Sequence, residues 1–269
     1  MNGILAQTIA TVSFGNEYLK QNKTDNFYPE NSTFQHCNNV DFREKKKSIF
    51  SKDKEIIVAN NPIEWFAYLK KNGCEKISLY YQSENDDDYR TSAFVGGGGN
   101  WYIECIYKNY SDFWISNWKH INEVKDKPWN VIYGKSISKR ATINRQYDIE
   151  YIRNNLKDVL DKITEFAYQE TTENWGKIFE NSKSSLESEN PVIDFYHTDL
   201  ICWNNYTMRN KQLLMSASKA LVFGGMGSWN DMWFEKEETE KKYVELSKKL
   251  YEMIMKGIES SINGKKDNG

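Results

Sequence analysis

Histidine, proline and cysteine are all scarce in this chain of 269 residues, with 3, 4 and 4 copies. Cys37, Cys74, Cys105 and Cys202 are widely separated and form no CxxC pair. That spacing excludes a zinc finger and a disulfide-stapled scaffold, and it suits a reducing compartment. An excess of one charge is missing too. Lys and Arg number 36 against 38 Asp and Glu, a formal net charge of −2. No global attraction to nucleic acid or to an anionic membrane follows from that balance. No apolar run approaches the length of a membrane span. Residues 1–20 lack a basic n-region, and Gln7, Thr8, Thr11 and Ser13 interrupt any apolar core, so they do not read as a signal peptide. The expected location is the cytoplasm. GxSxG and HExxH signatures and the Walker lysine are absent, so no cofactor is expected and the chain leans away from an enzyme.

Aromatic residues are abundant, at 14 % of the chain with 9 Trp and 17 Tyr. Such rings fill cores first, but Trp and Tyr also dominate binding hot spots. Leu5, Ile9, Val12 and Leu19 share one helical face and predict an opening helix over 3–20. Residues 21–47 show no periodicity and read as a long polar loop or arm. Ile56–Ala59 reads as a short buried strand. Asn61-Pro62 then caps a helix carrying Ile63, Phe66 and Leu69, which Gly73 stops. Further strands are expected at 77–82, 92–95, 101–107, 113–118 and 129–133, with short connections that favour antiparallel pairing. Asp148 caps a stripe of Ile149, Ile152, Leu156, Leu160, Ile163 and Ala167. Helices near 175–179, over 206–221 and over 235–262 complete the chain; the last spans roughly 40 Å at 1.5 Å per residue. The fold class is α+β. A mostly antiparallel sheet of about five or six strands in residues 1–146, within normal sheet size, packs against a largely helical 147–264. The two halves can also form one continuous domain.

Two glycine clusters stand out among the aromatics. Gly96-Gly97-Gly98-Gly99 lies between Phe94 and Trp101, with Asn100 following; Gly224-Gly225-Met226-Gly227 lies between Phe223 and Trp229. The first reads as a hairpin loop between strands, or as a phosphate-covering loop. The second reads as a turn after a helix, whose backbone N–H groups can hold an anion while Ser228, Asn230 and Asp231 add side-chain bonds. It lacks the preceding strand that a dinucleotide fingerprint needs. Gly97, Gly98, Asn100, Gly224, Gly225, Gly227, Ser228, Trp229, Asn230 and Asp231 are therefore the ligand-binding candidates.

In an alternating strand Trp114 and Trp118 share one face and Phe113 and Ile115 the other. The second pair is the more apolar, so the tryptophans are expected to form an outer or helix-covered layer. With Trp129 they are the candidates for contact with a partner. Lys108 and Lys119 are too few to make the band a nucleic-acid surface. Asp194, His197 and Asp199 are the weakest candidates, for a divalent ion or a base oriented by a carboxylate. Cys37 with His120 or His197 could form a nucleophilic pair if folding joins them. Scarce catalytic residue types beside abundant aromatics point to an interaction module, an adaptor or inhibitor that also self-associates. A phage or other mobile element is one possible source. The alternative is a nucleotide-binding or other small-molecule enzyme with its pocket between the glycine loops.

Overall fold

The computed structural model describes residues 1–46, 54–85, 87–94, 96–122, 125–193 and 195–264. A sheet occupies the N-terminal half and helices the C-terminal half, the expected α+β class. The strands are β1 (Cys37–Lys46), β2 (Lys54–Ala59), β3 (Lys76–Gln82), β4 (Asn100–Ile106), β5 (Ser111–His120) and β6 (Trp129–Arg140), in the spatial order β2-β1-β6-β5-β4-β3. Neighbours are antiparallel except β1 and β6, where Val40 lies beside Val131 in a parallel pair.

Helix α1 (Gly3–Gln21) starts at Asn2, whose side chain accepts the Leu5 N–H at 2.9 Å. Helix α2 (Pro62–Lys71) starts at Asn61, which accepts the Glu64 N–H, as the Asn-Pro pair requires. A single short turn of helix, α3 (Asp88–Thr91), precedes the first glycine run. Then come α4 (Ile149–Glu170), α5 (Glu173–Ser184), α6 (Met208–Lys219) and α7 (Glu237–Asn263). Asp148 accepts the Tyr151 N–H and caps α4. From Tyr251 to Asn263 α7 is buried on most of its circumference, between α4, α6 and β3. One apolar core runs from Leu5 and Val40 to Leu214 and Ile258, so both halves share it.

Four local expectations are corrected. Residues 37–46 are not part of a polar arm but strand β1, which carries Val40 and Phe42 into the core; Lys47 lies outside the described residues. Ile56–Ala59 is not a buried strand. It forms the edge of the sheet, with Ile57 54 % exposed. Residues 92–94 are a bend after α3 rather than a strand, so Gly96–Gly99 joins that bend to β4 instead of closing a hairpin; Val95 lies outside the described residues. On β5 the helix-covered alternative holds for the tryptophan side, which belongs to the main core rather than to an outer layer. Trp114 enters the main core at 1 % exposure, 5.3 Å from Trp65 and 6.1 Å from Phe42. Phe113, equally buried, packs on the other side against Tyr80 and Tyr102. Helices α1 and α2 over the tryptophan side supply the cover that a single strand's pattern does not show.

The outer edge of β3 is closed by side chains. Asn16 of α1 accepts the Ile77 N–H at 2.9 Å and donates to the Ile77 carbonyl at 2.7 Å. Asn263 of α7 does the same at Leu79, at 2.8 and 2.6 Å. Glu259 accepts the Tyr81 N–H at 3.2 Å. Alternate residues of the edge strand therefore have their outward backbone groups satisfied.

Candidate functional site

The second glycine turn binds its own side chains. Gly224 N–H donates to Asn230 Oδ1 at 3.1 Å, Gly227 N–H donates to the Asp231 carboxylate, and Ser228 Oγ donates to the Gly224 carbonyl at 3.0 Å. Gly227 has φ +84°, which turns its N–H toward Asp231. Of the donors expected to hold an anion, Gly224 N–H is thus already taken by the Asn230 amide and Gly227 N–H faces a carboxylate, whose charge repels a phosphate. Trp229 is fully buried and cannot touch a ligand. Its indole N–H donates to Ser247 Oγ at 2.7 Å, and its ring packs 5.0 Å from Phe179 and 5.3 Å from Trp175. Trp229 anchors the turn to the helical core.

The first glycine run folds onto its own neighbours. Gly98 N–H donates to Thr91 Oγ1 at 3.0 Å. The Gly98 carbonyl accepts the Tyr251 hydroxyl at 2.6 Å and lies 3.0 Å from the Tyr81 hydroxyl, whose proton goes to Asp88 at 2.8 Å. Burial pushes the Tyr251 phenol up to about 12 and raises that of Tyr81 further, so both stay protonated donors. A Cβ on Gly97 would collide with the Thr91 carbonyl. Asn100 donates to Glu84 Oε1 at 2.7 Å.

The two turns are tied together. Asn230 Nδ2 donates to the Tyr89 carbonyl, with the Arg90 carbonyl 3.4 Å away, at the head of the first glycine run. Asn230 therefore braces its own turn through Oδ1 and the other turn through Nδ2. Within four residues of that brace stand three exposed large side chains: Phe94 at 73 %, Met226 at 100 % and Trp233 at 71 %. Beneath the first run lies a cavity of about 540 Å³, lined by Gly96–Gly99, Trp101, Phe223 and the start of α1. Of the second glycine segment, Phe223 lines it and Gly224–Asp231 do not.

Trp118 and Trp129 are half-buried and meet edge to face at 5.9 Å, while Trp114 is sequestered and is not a partner contact. His197 and Asp199 come together through a residue that the sequence did not suggest, Ser32. Its backbone N–H donates to Asp199 Oδ2 at 2.6 Å, its hydroxyl to Asp199 Oδ1, and its Oγ lies 2.7 Å from His197 Nδ1. Asp194 lies outside the described residues. Among the described residues no group of three or more His, Cys, Asp or Glu is placed to hold a metal ion. Cys37 lines the same cavity as His197, but it accepts a bond from Gln7 Nε2 at 3.3 Å, and burial raises the thiol above its ordinary value. It is thus held as a thiol rather than an activated thiolate. Among the described residues no helix is long and apolar enough to cross a membrane.

No protein-family model matches this chain, and neither a curated protein nor a solved structure is significantly similar to it.

Proposed function

We propose that this chain works by binding another protein through the surface around the two braced glycine turns. The observation that carries this reading is the exposure of Phe94, Met226 and Trp233 on segments held by the Asn230 brace. Exposed aromatic and methionine side chains on a fixed backbone lose little further conformational freedom on docking, which favours affinity. A Trp or Phe that becomes fully buried typically contributes on the order of 2 kcal/mol as a hot spot.

The test places a photo-crosslinking residue at position 226, with position 151 as an exposed control outside this surface. A protein captured at 226 and not at 151, and lost in the Phe94→Ala/Trp233→Ala variant with an unchanged melting temperature, supports the reading. Equal capture at both positions, or capture indifferent to the double substitution, overturns it.

A second reading is a small ligand in the cavity of about 540 Å³ beneath the first glycine run. Its volume falls within the ordinary range of ligand pockets. The carboxylate of Asp231 disfavours a phosphate at the second turn, so an apolar or weakly polar ligand suits the chemistry better. A thermal-shift screen in which no such compound stabilises the protein removes this reading.

A further inference from the structure

All three histidines of the chain come together in or beside one cavity, far apart in sequence as they are. His36 and His197 line a cavity of about 350 Å³ together with Trp118, Trp129 and Tyr196. The His120 ring packs edge to face on Trp129 at 5.1 Å. Tyr196 meets the His197 ring at 4.7 Å and is fixed through its hydroxyl by Gln35 Nε2 at 2.6 Å. Several walls of this cavity are therefore rings held at angles to each other.

The hydrogen bonds at Ser32 decide which nitrogen of His197 carries the proton. A carboxylate can only accept, so the Ser32 hydroxyl proton lies toward Asp199 Oδ1. Ser32 Oγ then has only lone pairs left for His197 Nδ1 at 2.7 Å, so Nδ1 must be the donor. In a neutral imidazole the other nitrogen, Nε2, is consequently a bare acceptor. Burial disfavours the imidazolium form of His197 and keeps the ring neutral. Asp199 holds its loop in turn: its carbonyl accepts from Asn31 Nδ2 at 2.7 Å. The Asp–Ser–His chain therefore sets the orientation and the tautomer of the ring.

We propose that this cavity binds a small planar aromatic or heteroaromatic molecule bearing one N–H or O–H donor, stacked among Trp118, Trp129 and Tyr196 and donating to His197 Nε2. Indoles and phenols supply ring faces and edges for stacking. His197 is half-buried, and an acceptor nitrogen on a ring that lines the cavity lets the site prefer a ligand with a donor over an analogue lacking it. This proposal does not rest on the protein-binding surface, which involves other residues.

The matched probes are indole and 1-methylindole, similar in ring shape but differing in the N–H donor. Binding is followed on the side-chain N–H resonances of Trp118 and Trp129 by NMR, with the ¹⁵N shifts of His197 reporting its tautomer. Indole is expected to shift both tryptophans, and 1-methylindole to bind about threefold to tenfold more weakly, the loss of one hydrogen bond. His197→Asn should remove that preference while indole still binds. Ser32→Ala, which frees the imidazole to change tautomer, should reduce it. N-acetyltryptophanamide binding as tightly as indole identifies the natural ligand as an aromatic residue of a peptide; binding of indole alone identifies a free molecule. Equal binding of the two indoles to the native protein overturns the proposal. So does a protonated Nε2 in the neutral ring, or saturating indole that moves neither tryptophan.

Discussion

A contrast between Gly97 and Gly225 tests how the two glycine turns are held. A methyl group at Gly97 would lie 2.6 Å from the Thr91 carbonyl carbon and closer still to its oxygen, with no flexible side chain to give way. The loop must lift. Overpacking of this kind costs roughly 1–3 kcal/mol. Lifting also strains the Gly98 N–H bond to Thr91 and the Tyr251 phenol bond to the Gly98 carbonyl, each worth about 0.5–1.5 kcal/mol. Gly97→Ala should therefore destabilise by about 3 kcal/mol, in the lower half of that combined range because the bonds are strained rather than lost. For a chain of this size that lowers the melting temperature by roughly 6–12 °C. Gly225 has no atom within 4 Å of its would-be Cβ, and its φ is not positive. Gly225→Ala should be neutral, or stabilise by about 0.4–1 kcal/mol through the unfolded chain. Urea denaturation with a constant m-value measures both. A Gly97→Ala variant within about 0.5 kcal/mol of the native protein would refute the packing argument, since neutral surface substitutions fall in that range.

Trp229→Ala should cost about 3–5 kcal/mol in the same assay, as a fully buried ring bonded to Ser247 is lost; a cost near zero would show that the turn is not anchored there. Arg145 pairs with Glu104, which is 1 % exposed, and its guanidinium lies over Tyr80 at 4.3 Å. Arg145→Ala leaves that carboxylate buried and unpaired, and should cost about 3–5 kcal/mol, with Glu104→Gln in the same chain recovering part of it. His197 is lowered from its ordinary value of 6.5, chiefly by burial, so the unfolded chain binds its proton first as pH falls. The stability it supports is present above about pH 6.5 and is lost below it; urea midpoints from pH 7.5 to 5 should fall less steeply in His197→Asn.

The helices were legible because their signals are local. Asp148 and its apolar stripe, or Asn61-Pro62 and its helix, are each contiguous in the sequence. Strand β1 was not legible. Cys-Asn-Asn-Val-Asp-Phe-Arg-Glu-Lys-Lys looks polar, and its identity as a strand depends on the parallel pairing of Val40 with Val131, ninety-one positions away. Asp41 survives buried in the sheet because Arg43 meets it at 2.6 Å, a pairing invisible as a pattern. The Ile-Ile-Val run misled in the other direction, since apolar content does not distinguish an edge strand from a central one. At the candidate sites the sequence marked the glycine turns but not the Asn230 brace between them. It named His197 and Asp199 but not Ser32, which sits 165 positions from His197 and joins them only in three dimensions.

The finished edge at β3 gives the sheet a direction of growth. Asn16, Asn263 and Glu259 occupy the outward amide and carbonyl groups on that side, so an incoming strand would have to displace two helices to register there. Among the described residues β2, at the opposite margin, has no comparable seal and carries exposed Ile56 and Ile57. Among the described strands β2 is the margin open to an extended segment by backbone pairing, and loss of the final turn of α7 would free the Leu79 groups while Asn16 still holds Ile77.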